Sequence, residues 1–76
     1  MNLDENYQNL ANAIVKQACD DYRAALRVLK KRADNKSATA TVAECEKFFK
    51  SDWYQILTSI DGEMLMQMLK KEVSEE

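Results

Sequence analysis

The chain contains no proline and a single glycine, Gly62, in 76 residues. Hairpins, sandwiches and barrels need turn formers at every reversal, roughly one set per 8–12 residues. A sequence without them is confined to helices joined by a few polar breaks. The expected fold is therefore all-α: one helical domain over residues 1–76, a long N-terminal helix packed against three shorter ones in a small bundle. A chain of this size buries only about 60% of the surface its unfolded form exposes, so one modest core is all it can build. Self-association through the long helix or a methionine-rich last helix is expected on that ground, giving a homo-oligomer.

Helical spacing places the elements at about residues 4–33, 38–50, 52–59 and 62–73. On the first, Ala11, Val15, Ala18, Cys19, Ala25, Leu26, Leu29 and Ala33 fall within about 60° of Tyr22 at 100° per residue. Alanine recurs every seven residues, which lets a neighbour approach closely. Asp4 is placed to cap this helix, with Glu5 in its first turn. At 1.5 Å per residue it is about 45 Å long, so its stripe requires two shorter helices end to end or a second copy. The segment RADNKSATAT breaks the pattern. Asn35, Ser37, Thr39 and Thr41 all have capping side chains; Thr41 with Glu44 fits a capping box, and a start at Ser37 suits the following stripe better. That stripe is Ala38, Val42, Cys45 and Phe49, with Phe48 on its edge. Ser51 caps a short third helix whose expected inner face is Trp53, Ile56, Leu57 and Ile60. Asp61 caps the last.

Much chemistry is excluded. Histidine is absent, which removes the commonest general base, the Ser–His and Cys–His nucleophile arrangements and histidine metal sites. Two cysteines cannot close a zinc site, and no glycine-rich loop exists to cradle phosphate. Cys19 and Cys45 are expected as reduced thiols on helix faces. Carboxylate pairs remain, Asp20 with Asp21 and Glu44 with Glu46, and four such acids on facing helices can hold Mg²⁺. Those sites space acids three or four apart; Asp20 and Asp21 are adjacent, and Glu44 and Glu46 point about 200° apart. Solvated helix faces explain them better than a hydrolase, and neither an enzyme nor a cofactor is expected. No apolar run of 18 residues crosses a membrane, and MNLDENYQNL shows no export signal, so a cytoplasmic location is expected. The sequon Asn35-Lys36-Ser37 carries no weight without secretion.

Charge is segregated along the chain: net −3 over residues 1–21, +5 over 22–36 and −4 over 37–76. Arg23, Arg27, Lys30 and Lys31 follow one flank of the first helix. They either complement its C-terminal dipole or dock an anionic partner. A nucleic-acid partner is not expected. Helices two and three have helix-turn-helix order, but the second of these opens Asp-Trp-Tyr and holds no Arg, Lys or Asn to read bases. A DNA-associated regulator using the basic stripe is the alternative to a protein-binding module. In EMLMQMLKKEV, Leu65 and Leu69 centre an apolar band widened to about 200° by Met64, Met66, Met68 and Val73. That exceeds what one core face needs, so Met64 or Met66 is a partner-face candidate. Tyr54 points about 100° from Trp53 and is the first aromatic candidate for contact, with Phe48 second.

Three segments together resemble a known group: ACDDYRAAL, then Cys45, Glu46, Phe48, Phe49, Ser51 and Trp53 followed by Leu57, Thr58, Asp61 and Gly62, and a closing KKEV. They resemble small orphan proteins of phages and prophages of Gram-positive gut bacteria, over about residues 13–73. The connector RADNKS departs from that pattern in lacking a proline. The resemblance implies no particular biochemistry. It does imply a phage or host protein as partner, since small non-enzymatic phage proteins often inhibit a host machine such as a defence nuclease, in the manner of anti-CRISPR proteins.

Overall fold

The computed structural model describes the backbone of residues 3–76 and the side chains from residue 6 onward. Four helices follow one another: α1 (Leu3–Lys31), α2 (Lys36–Phe49), α3 (Asp52–Leu57) and α4 (Gly62–Ser74), with no strand among the described residues. The cap expected of Asp4 and Glu5 lies outside the described side chains. The molecule is 46 × 22 × 20 Å; its long dimension matches the length of α1 at 1.5 Å per residue.

Each break has a local cause. α1 stops at Lys31, and Asn35 bonds back to the Arg32 carbonyl at 3.1 Å. Ala33 therefore sits exposed in the turn, not on the α1 stripe. Of the four possible caps for α2, Asn35 is the one used: its Oδ1 accepts from the Ala38 amide at 2.9 Å. Thr41 is already inside the helix, donating to the Ser37 carbonyl, so the Thr41–Glu44 box does not form. Ser51 caps α3 by accepting from Tyr54 N and also donates to the Phe48 carbonyl, fastening α3 to the end of α2. Thr58 turns extended, which ends α3 at Leu57 and leaves Ile60 outside it. Asp61 Oδ1 accepts from the amides of Glu63 and Met64, opening α4.

The core gathers Cys19 and Tyr22 from α1, Cys45 and Phe49 from α2, Tyr54 from α3 and Met66 and Leu69 from α4. α1 packs against all three other helices. Its alanines act as expected: Ala11 and Ala25 are buried, and Ala38 of α2 is buried in turn. Of the two ways expected to cover the long stripe, shorter helices of the same chain or a second copy, the structure shows the first. Aromatic rings interlock at the centre, with Phe49 meeting Tyr22 at 5.5 Å and 81° and Tyr54 at 5.7 Å and 87°. Edge-to-face pairs of this kind add about 0.5–1.5 kcal/mol each to the area they bury.

Gly62 serves closeness, not curvature. A Cβ there would lie 2.1 Å from the Phe49 carbonyl oxygen and 3.3 Å from the Tyr54 ring. Real Cβ atoms do not approach backbone this closely, so only glycine lets the start of α4 seat against the end of α2.

Candidate functional site

The two flanks of α1 differ completely. On one, Arg23 and Arg27 reach α4: Arg23 pairs with Glu72 at 3.1 Å as well as with Asp20, and Arg27 grips Glu76 with both Nε and Nη2 at 2.8 Å. This fork holds the Glu76 carboxyl below the usual carboxylate range. Lys30 donates to the backbone oxygens of Val73 and Glu76 at 2.9 and 2.8 Å, satisfying the last turn of α4. Lys30 and Lys31 stand in the last turn of α1, as expected for cations complementing its dipole, while Lys30 also reaches the end of α4 and the acids that Arg23 and Arg27 dock belong to this chain. Arg23, Arg27 and Lys30 are engaged internally; Lys31 is exposed and makes no ion pair among the described residues.

Three other placements correct the expectations. Tyr54, expected to face outward, is 1% exposed, whereas Trp53, expected in the core, is 55% exposed. A helix of six residues has no stripe long enough to set its rotation. The Ser51 cap and the close approach at Gly62 orient α3, and they turn Tyr54 and Leu57 inward. Ile56 and Ile60 are exposed with Trp53. On α4 the buried set is Met66, Leu69 and Val73, so the band centres one residue beyond Leu65. Met66 is core and offers no contact surface, while Met64 and Met68 are exposed.

Phe48, expected at the edge of the α2 stripe, is half-buried over the α2–α3 junction. Its ring meets Trp53 at 5.5 Å and 78°, and Tyr54 at 5.6 Å and 87°. Together with Ile14 and Ala18 of α1 these two outer aromatics, Phe48 and Trp53, line an open, mainly apolar groove of about 340 Å³. Cys45 forms part of its wall; burial pushes its thiol pKa up, helped by the neighbouring carboxylates of Asp21 and Glu44. A second, more polar groove continues between α1 and α2 toward Val28 and Asn35, and Asp21 and Glu44 line both. Among the described residues neither carboxylate meets a cation: that of Asp21 accepts only from Gln17 at 2.9 Å, and the Glu44 side chain makes no hydrogen bond or ion pair.

The remaining acids of interest are occupied. Asp20 holds Lys16 and Arg23, and Glu46 accepts from Tyr22 at 2.7 Å and lies 3.5 Å from Lys70. Among the described residues no three carboxylates or thiols gather as a metal cluster. Among the described residues no helix is long and apolar enough to cross a membrane. The Asn35 side chain, the asparagine of the sequon, is engaged as the α2 cap.

The groove was partly visible in the sequence. Leu10 and Ile14 sit about 120° and 80° from Tyr22 around α1, a second apolar flank outside the main stripe, and Leu10 is 61% exposed. Trp53 completes it only through the rotation of α3. No protein family, curated protein or solved structure matches the chain.

Proposed function

We propose that the protein is a non-catalytic binding module that acts on another protein in the cytoplasm. The observation that carries this reading is the exposed Trp53, the chain's only tryptophan, packed edge-to-face with Phe48 along an apolar groove. Tryptophan is enriched at interface hot spots because a rigid, amphipathic ring buries much area at little entropic cost. Exposing one costs free energy in the isolated domain, and a partner recovers it. The internal engagement of Arg23, Arg27 and Lys30 weighs against the DNA-associated alternative, since phosphate would have to displace Glu72, Glu76 and the α4 carbonyl groups. The resemblance to small phage proteins makes a bacterial defence nuclease the target class we favour.

Expression of the protein in a nuclease-defended bacterial host tests this, with phage plating and affinity copurification as readouts. Defence is expected to fall with the wild-type chain and to be restored by Trp53→Ala, which also loses the copurifying nuclease. Unchanged defence together with no retained nuclease overturns the proposal.

A further inference from the structure

The geometry points to a basic amphipathic helix of the target protein as the occupant of the α1/α2 groove: an apolar anchor seats between Ile14 and Trp53, and flanking Arg or Lys side chains pair with Asp21 and Glu44. This rests on the protein-binding reading above and adds the chemistry of the partner segment.

Two independent features converge here. The first is shape and polarity. Ile14 and Ala18 on one side, and Phe48 and Trp53 on the other, enclose an apolar trough between two helices. Helix-in-groove recognition uses such troughs, reading apolar anchors at i, i+3, i+4 and i+7. Leu10, one turn before Ile14 and exposed, extends the apolar floor beyond the groove. The second is charge. Asp21 stands on α1 and Glu44 on α2, both bordering the same trough, and neither has a cation from its own chain. Asp20, Glu46, Glu72, Glu75 and Glu76 each pair with a lysine or arginine; among the described residues Asp34, Asp52, Asp61 and Glu63 form no ion pair either, so what distinguishes Asp21 and Glu44 is that they border an apolar groove. No cation of this chain lines the apolar trough, so a partner supplies the complement.

A second copy of the chain fits less well. An isologous contact at this groove sets the two-fold-related Asp21 and Glu44 pairs near one another, where like charges repel. An acidic segment or nucleic acid is repelled for the same reason.

The test uses the full chain and Trp53 as its own reporter. A tryptophan-free synthetic helix, with leucines on one face flanked by arginines, is titrated in against a glutamate-flanked twin. The arginine peptide is expected to shift Trp53 emission to the blue, to bind more weakly as salt rises, and to lose roughly tenfold in affinity to an Asp21→Asn/Glu44→Gln double variant. Circular dichroism confirms that the variant is folded. Equal binding of both peptides, binding unaffected by the double variant, or no binding of either overturns the inference. A blue shift that grows with protein concentration alone, with dimer mass by sedimentation, also overturns it in favour of self-association. A nuclease still retained by the double variant but lost by Trp53→Ala removes the charge pairing and leaves the binding-module reading standing.

Discussion

Tyr22 of α1 donates its phenolic proton to Glu46 Oε2 of α2 across 2.7 Å, while its ring stands edge-on to Phe49, one turn further along the same helix. Tyr22 is fully buried, and burial with the neighbouring carboxylate drives its pKa far above that of free tyrosine. One residue thus couples the apolar core to a charged pair at its edge, since Glu46 also faces Lys70 of α4.

Tyr22 and Tyr54 respond oppositely to the same conservative change. Tyr22→Phe removes the donor to an ionised acceptor and is expected to destabilise by about 1–2 kcal/mol. Tyr54 buries a hydroxyl with no hydrogen-bond partner among the described residues. Tyr54→Phe is therefore expected to be neutral or stabilising by up to about 1 kcal/mol. Urea midpoints at unchanged m-value measure both.

Acid weakens the Tyr22–Glu46 link. Accepting from Tyr22 lowers the Glu46 pKa below its ordinary 4.5, with Lys70 acting in the same direction. A carboxyl whose pKa is lower folded than unfolded contributes stability above its unfolded value and loses it as pH falls through the folded value. The contribution is therefore whole above pH 4.5 and declines below it. Glu46→Gln should flatten this part of the stability–pH curve, measured by urea unfolding across the acid range.

Gly62→Ala places a methyl group against the Phe49 carbonyl. Forcing α4 away from α2 is expected to cost about 1–3 kcal/mol, outweighing alanine's better helix propensity. The thermal midpoint reads the net sign, and a gain in stability contradicts the close approach.

Met66 and Met68 sort the last helix. Met66 is 2% exposed and Met68 60%. Met66→Ala is expected to cost about 2–4 kcal/mol, enough to unfold much of so small a domain. Met68→Ala should stay within about 0.5 kcal/mol. Equal losses would contradict the difference in burial, and a larger loss at Met68 would mean that the band faces the other way.

Both thiols are free and buried, and burial raises the pKa of each. Labelling with a thiol reagent at neutral pH is expected to be slow and to track unfolding, accelerating with urea. Rapid labelling of the folded chain contradicts the packing of Cys19 and Cys45.

Helical class, helix number and most boundaries were legible because they depend on local chemistry. A chain without proline and with one glycine has no other regular choice, and Ser51 and Asp61 cap whatever helix follows them. The long stripe of α1 identified its inner face correctly through Cys19, Tyr22 and Ala25, since periodicity over eight turns averages out error. Only the α1 flank of the groove, Leu10 and Ile14, was legible; its other wall was not, because it depends on how α3 is rotated. Six residues carry too little period to say whether Tyr54 or Trp53 turns inward, and Met66 differs from Met68 only through its neighbours. Nor does the sequence say which acid meets which base: Arg27 and Glu76 lie 49 residues apart and meet only once α4 folds back along α1. Composition and periodicity determined that this chain is a helical bundle with one long helix. Tertiary packing alone decided which aromatic remained outside, which charges were neutralised, and that Asp21 and Glu44 were left facing an open groove.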